Sequence, residues 1–152
     1  MVLIKNGKII KNNQLVKKDI LIEENKIIKI EDEINFDCEI LDAKDCLVMP
    51  GAVDVHVHLR EPGFEYKEDI YTGSMAAAKG GFTTIMAMPN VKPSPSTVES
   101  CEYINKLIEE KSVIETLQIV SITKGLRGLE LSDIEDIKKS FKYGDDLSLL
   151  KT

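Results

Sequence analysis

The 152-residue sequence lacks several features that mark particular classes of protein. Its three cysteines, Cys38, Cys46 and Cys101, are odd in number and widely spaced, which argues against a disulfide framework. No apolar run reaches the roughly 20 residues that a membrane-spanning helix needs. The first ten residues also lack the basic segment and long apolar core of a signal peptide. We therefore expect a cytoplasmic protein with no membrane partner.

An excess of basic residues is also absent. Lysine and arginine together number 20 against 26 aspartates and glutamates, which gives a formal net charge of −6. A mildly acidic chain offers no electrostatic reason to bind nucleic acid or an anionic membrane. Hydrophobic residues at 43% and charged residues at 30% are the usual balance of a globular protein.

Residues 1–48 consist of short apolar segments separated by turn signals. Asn6-Gly7 is a favoured dipeptide of tight hairpins and predicts a turn between strands at 2–4 and 9–10. Glu24-Asn25 predicts a second turn between apolar segments at 20–22 and 27–30. We therefore predict a β-rich N-terminal module over 1–48.

From Pro50 onward the pattern changes to alternating strands and helices. The predicted elements are a strand at 53–59, a helix at 66–79 ended by Gly80-Gly81, a strand at 82–88, a helix from a Ser96-x-x-Glu99 capping box to 111, a strand at 117–122 and a helix capped by Ser132-x-x-Glu135. Such alternation predicts an α/β fold with parallel strands and helical crossovers.

Histidine is scarce, and the only two histidines, His56 and His58, lie two positions apart on the first of these strands. Side chains at i and i+2 point to the same face, with Cβ atoms about 6.5–7 Å apart. Two imidazoles can then converge on one metal ion. Asp54 and Arg60 share that face, opposite valines and a leucine. The alternative is an incidental pair on a solvent-facing strand, but a polar face on a parallel strand normally needs an ion, a ligand or water.

Several motifs together resemble one family. The segment DVHVHLREPG at 54–63 resembles the first barrel strand of the amidohydrolase superfamily, and of dihydroorotases in particular. KNGKII at 5–10, the stretch from 72 to 90 and SITKGLRG at 121–128 are also similar to zinc-dependent bacterial dihydroorotases. The resemblance implies the N-terminal part of a (β/α)8 metal-dependent hydrolase barrel, with about three βα units over 49–152, preceded by a small β-sandwich module. A complete barrel needs about 250 residues, so we expect a truncated one.

The resemblance also implies site residues. His56 and His58 would bind Zn²⁺, and Asp146 would be a further metal ligand. Arg60 and Asn90 would hold the carboxylate of a small-molecule substrate, a task that suits the two parallel donors of a guanidinium. The implied reaction is the reversible conversion of N-carbamoyl-aspartate to dihydroorotate. No catalytic residue is predicted here, because the family's acid–base aspartate would lie beyond the end of the chain, and we expect the chain alone to be inactive.

Two other functions remain open at this point. Allantoinases and hydantoinases share the scaffold and the histidine pair, but Arg60 with Asn90 suits a substrate carboxylate that a plain hydantoin lacks. The chain could also be a non-catalytic partner of aspartate carbamoyltransferase, or form a homo-oligomer, as relatives of the family do. Retention of His56 and His58 speaks against an intact non-catalytic protein.

Overall fold

The computed structural model describes residues 1–140. The predicted metal ligand Asp146 therefore lies outside the described residues. The chain divides into two compact units, Met1–Pro50 and the residues from Gly51 onward. Between residues 1 and 140, no helix is both long enough and apolar enough to cross a membrane.

The first unit is built on one mixed sheet of four strands. These strands are β1 (Val2–Lys11), β2 (Gln14–Glu23), β3 (Lys26–Glu31) and β4 (Glu39–Asp42). Their order is β3-β2-β1-β4, with β1, β2 and β3 antiparallel and β4 parallel to β1. Leu3, Leu21 and Ile34 form the core of the unit, and Cys38 packs against them.

The hairpin predicted at Asn6-Gly7 is wrong. Strand β1 continues through this dipeptide, and only its register with β2 shifts there. Asn6 has φ of 64° and donates its backbone N–H to Asp19 Oδ1 at 2.9 Å, so its left-handed conformation forms an irregularity within the strand. The chain turns instead at Asn12-Asn13, where both φ values are positive. The turn predicted at Glu24-Asn25 is confirmed between β2 and β3.

Asp19 anchors this irregularity and the loop after β3. Its side chain is 2% exposed, and its carboxylate accepts the N–H groups of Asn6 at 2.9 Å and Ile34 at 3.0 Å. Lys5 Nζ lies 3.5 Å away. Burial alone would raise the pKa of Asp19, but these hydrogen bonds and the Lys5 charge outweigh it and hold the pKa below its usual 3.8.

The second unit contains a parallel sheet with helical connections, as the α/β prediction required. Its strands are β5 (Ala52–Val57), β6 (Phe82–Ala87) and β7 (Glu115–Gln118), in the order β5-β6-β7. Its helices are α1 (Ile70–Lys79), α2 (Val98–Lys111) and α3 (Ile134–Ser140), with a short 3-10 turn at Lys124–Leu126. The buried core combines side chains from β6, α1, α2 and the segments that follow β5 and β6: Leu59, Ile70, Ile85, Ala87, Val91, Ile104 and Ile108.

Several predicted boundaries are wrong by a few residues. Strand β5 ends at Val57, β7 covers 115–118, and α1 begins only at Ile70, after an Asp69–Thr72 capping box that the sequence reading missed. The predicted cap of α2 is shifted by one residue: Thr97 Oγ1 accepts the Ser100 N–H at 3.2 Å, and Ser100 Oγ accepts the Thr97 N–H at 3.0 Å. A serine therefore fills the position where a glutamate was expected.

Candidate metal and carboxylate site

The two histidines lie where β5 ends. His56 is in the last residues of the strand and His58 follows it, and both side chains are exposed. Their ring centroids are 5.3 Å apart, with the ring planes at 68°. The structure thus brings the two imidazoles side by side at the carboxyl end of a parallel strand, the edge where open α/β folds bind their ligands.

The predicted alternation of polar and apolar side chains on one strand does not extend from Asp54 to Arg60. The pairing of β5 with β6 is irregular between Asp54 and Val57. Asp54 Oδ1 accepts the backbone N–H of His56 at 3.0 Å, so this carboxylate shapes the strand end. Arg60 is no longer on the strand, because it adopts φ of 66° in the following loop. Asp54, His56, His58 and Arg60 are therefore not four successive members of one strand face.

His58 contacts a second predicted site residue. Its ring Nδ1 is 2.9 Å from Oδ1 of Asn90, which follows β6. An amide oxygen can only accept a hydrogen bond, so Nδ1 is the donor, and in the neutral imidazole Nε2 then keeps its lone pair. The sequence analysis predicted both residues as site residues but did not predict the contact between them. The adjacent ends of two parallel strands were the available signal.

The loops that carry Arg60 and Asn90 are bonded to each other. Lys92 donates its N–H to the Pro62 carbonyl at 2.9 Å. Gly63, with φ of 96°, lies so close to the second loop that a Cβ atom there would be 2.6 Å from the Lys92 carbonyl oxygen. Only glycine tolerates this combination of conformation and contact. The close packing fixes the two loops against each other.

Arg60 supplies positive charge in the first of these loops. Its backbone carbonyl accepts the Phe64 N–H at 3.0 Å, which closes a turn around it. Its side chain is half-buried. Within residues 1–140 the guanidinium has no hydrogen-bond or ion-pair partner, so its donors remain available to a ligand.

Glu61 is a structural member of the site that the sequence reading missed. Its side chain is 4% exposed, Oε2 accepts the Ile70 N–H at 3.0 Å, and Oε1 pairs with Lys111. The hydrogen bond to Glu61 raises the pKa of Lys111. Glu61 thus ties the loop after β5 to the start of α1 and the end of α2. No local sequence signal indicates a partner 50 positions away.

The donor set fits part of a zinc site. Two imidazoles are among the commonest zinc ligands, and a tetrahedral site needs four. Among residues 1–140 no group of three or more His, Cys, Asp or Glu side chains could hold a metal ion. His56 and His58 are therefore the candidate metal donors within residues 1–140, and Asp146 cannot be compared with them because it lies outside the described residues.

Known structures place this fold in one class of enzyme. The L-hydantoinase (dihydropyrimidinase) of Arthrobacter aurescens matches with a TM-score of 0.75 and 26% identity, over 82% of this chain and 28% of that one. A D-hydantoinase matches with a TM-score of 0.69 and 34% identity, over 80% of this chain and 27% of that one. The chain has the α/β fold of hydantoinase-type amidohydrolases.

Sequence comparison then specifies the family. The family described as Dihydro-orotase-like matches residues 45–148. The dihydroorotase of Staphylococcus epidermidis is 47% identical over 151 residues, 96% of this chain and 36% of the relative. That of Bacillus cereus is 49% identical over 124 residues, 80% of this chain and 29% of the relative. The chain belongs to the dihydro-orotase-like family, as the motifs predicted, and spans about a third of the length of these relatives.

Proposed function

We propose that this chain forms the first part of the barrel and the first half of the metal site of a cytoplasmic dihydroorotase. In this proposal residues 1–48 belong to a β-sandwich module and residues 49–152 begin a (β/α)8 barrel. The reaction is the reversible conversion of N-carbamoyl-aspartate to dihydroorotate, a step of pyrimidine synthesis. The observation that carries the proposal is the paired imidazoles of His56 and His58 beside two bonded loops that present Arg60 and Asn90.

The proposed metal is Zn²⁺, held by His56 and His58, with Asp146 as a further ligand by family resemblance. Bound zinc supplies Lewis acidity, which polarises an amide carbonyl and acidifies water. The chain's own contribution is to hold the donors in place: the 2.9 Å contact with Asn90 keeps the proton of the neutral His58 ring on Nδ1, so that Nε2 can ligate.

Arg60 and Asn90 are proposed to bind the substrate carboxylate. A guanidinium donates two parallel hydrogen bonds to a carboxylate, and the Asn90 amide nitrogen adds a further donor. Arg60 has no competing partner among residues 1–140, and the Lys92–Pro62 hydrogen bond fixes its loop against that of Asn90. Such prior placement reduces the entropy lost on binding.

The test compares ligands with and without a carboxylate. The zinc-loaded chain is titrated with N-carbamoyl-aspartate, dihydroorotate and dihydrouracil in a calorimeter or by NMR. We expect binding of the carboxylates, weakened in Arg60→Ala by about 1.5–3 kcal/mol, the contribution of hydrogen bonds to a charged group, which is roughly 10- to 100-fold in Kd. Arg127→Ala is the matched control, because Arg127 is the only other arginine and is exposed.

A hydantoinase-type function is the second candidate, since solved hydantoinases match the fold. It predicts that dihydrouracil binds as tightly as dihydroorotate and that Arg60→Ala changes neither. That result would contradict the dihydroorotase proposal. The third candidate, a non-catalytic partner of aspartate carbamoyltransferase, predicts that neither zinc nor the carboxylate ligands bind and that the carbamoyltransferase does.

A further inference from the structure

The Asn90 side chain contacts one part of the proposed site and is assigned by resemblance to another. The family assignment gives it to the substrate carboxylate, yet its Oδ1 is 2.9 Å from Nδ1 of His58. Oδ1 and Nδ2 belong to one planar amide, and only Oδ1 is engaged by His58. The two donors of Nδ2 therefore remain for a ligand, and one side chain can serve both groups.

The contact distinguishes the two imidazoles. A neutral imidazole carries one proton, and an oxygen acceptor at Nδ1 keeps the proton there and leaves Nε2 free to ligate. His58 has such an acceptor. Neither ring nitrogen of His56 has a hydrogen-bond partner within residues 1–140, and the His56 ring packs against the ring of His58 at a centroid distance of 5.3 Å. Within residues 1–140, the fold therefore provides a contact that favours one tautomer for His58 and none for His56.

The position of Asn90 is set by its neighbours on both sides. Met88 donates its N–H to the Val57 carbonyl at 2.8 Å, which joins the loop to the end of β5. Val91 is 8% exposed and packs in the core. Lys92 is bonded to Pro62. With both flanks held, the backbone of Asn90 is fixed beside the end of β5, where its amide contacts His58.

We propose that Asn90 is a positioning residue for the metal site: its Oδ1 fixes the Nδ1–H tautomer of His58, while its Nδ2 serves the carboxylate. The role of Nδ2 in binding a carboxylate rests on the proposed function, whereas the role of Oδ1 in fixing the His58 tautomer rests on the observed contact. The zinc ligand and the substrate clamp would then be coupled through one amide group.

The first test is the tautomer of each histidine in the metal-free chain. Long-range ¹⁵N–¹H NMR correlations near pH 8, above the ordinary histidine pKa of about 6.5, report which nitrogen carries the proton. The chain has only two histidines, so His56→Gln assigns the spectrum. We expect Nδ1–H for His58 in the parent chain and in Asn90→Asp, which keeps an oxygen acceptor. Asn90→Ala should return His58 to a mixture resembling that of His56.

The second test distinguishes the role of Asn90 Oδ1 from that of Nδ2 by comparing zinc affinity with carboxylate binding. Zinc affinity should fall about 10- to 100-fold in Asn90→Ala, as for other residues that orient a metal-bound histidine. It should stay within a few-fold of the parent in Asn90→Asp. Binding of N-carbamoyl-aspartate should fall in both variants, because aspartate has no donor and repels a carboxylate. Asn35→Ala, which removes an exposed amide elsewhere, is the control.

An unchanged His58 tautomer or an unchanged zinc affinity in Asn90→Ala would overturn the inference. If N-carbamoyl-aspartate does not bind the parent chain while both readouts respond to Asn90→Ala, the positioning role stands and the proposed function fails. If the ligand binds and Asn90→Ala alters only that binding, Asn90 is a substrate contact alone and the inference is wrong.

Discussion

The ion pair between Glu61 and Lys111 should contribute more to stability than a surface pair. The Glu61 side chain is 4% exposed and that of Lys111 is 40% exposed, so one partner is desolvated and the other is partly hydrated. Glu61→Gln keeps an oxygen that can accept the Ile70 N–H but removes the charge. Lys111→Met removes the cation and keeps the aliphatic stem.

The expected coupling between these two positions follows from their burial. A hydrogen bond to a charged group contributes about 1.5–3 kcal/mol net. Exposed pairs contribute roughly 0–1 kcal/mol. Because Lys111 keeps contact with water while Glu61 does not, we expect a coupling energy of about 2 kcal/mol from the cycle of both single variants and the double variant.

Amide hydrogen exchange in α2 is the appropriate assay, because the chain has two units and one global transition cannot be assumed. The amides of Ile104 and Ile108 belong to a helix whose side chains are buried in the core of this unit. Their slowest exchange reports the free energy of opening that unit.

The control is a second cycle on the same helix at Lys106 and Glu110. This pair lies 3.9 Å apart with side chains 74% and 55% exposed, so its coupling should be at most a few tenths of a kcal/mol. A Glu61–Lys111 coupling as small as this control would refute the reasoning. It would mean that solvent screens the pair despite the burial of Glu61.

Three further outcomes follow from the structure. The pKa of Asp19 is lowered by folding, so its carboxylate stabilises the first unit above the unfolded pKa of about 3.9 and loses that effect as the pH falls through the lower folded value. In an acid titration followed by circular dichroism, Asp19→Asn should lose less stability than the parent chain between neutral and acid pH. Equal losses of stability in the two proteins would contradict this. Gly63→Ala should cost about 1–3 kcal/mol through backbone strain and contact with Lys92, measured by the same amide exchange in α2, and a neutral effect would show that the loops are not packed as described. Burial raises the pKa of Cys101 to about 11, so iodoacetamide should modify it far more slowly than the exposed Cys46 until urea is added.

Much of this protein could be predicted from local patterns. The α/β class followed from alternating apolar periodicities, and the family followed from the motif around His56 and His58, because both are carried by residues close together in the chain. The turn at Glu24-Asn25 was also predictable, since turn conformation depends on a few adjacent residues. These features need no knowledge of distant partners.

Predictions from local sequence failed where a residue distant in the chain forms the deciding hydrogen bond. Asn6-Gly7 has the composition of a hairpin turn, but Asp19 binds the Asn6 N–H and the strand continues through the dipeptide. Sequence alone gives no reason to expect Glu61 to be buried. In the fold its carboxylate accepts the Ile70 N–H and pairs with Lys111. In both cases a buried carboxylate needs hydrogen-bond donors, and the fold decides which donors reach it.

The site itself shows the same division. The residue types that bind a metal and a carboxylate were readable along the chain, because His56, His58 and Arg60 lie within one short motif. The hydrogen bond from His58 to Asn90, 32 positions later, was not. It exists because β5 and β6 pair in parallel and their carboxyl ends meet, which brings two loops together that share no local sequence pattern. Residue chemistry thus indicated the candidate ligands, whereas strand pairing decided that His58 has a hydrogen-bond partner in Asn90.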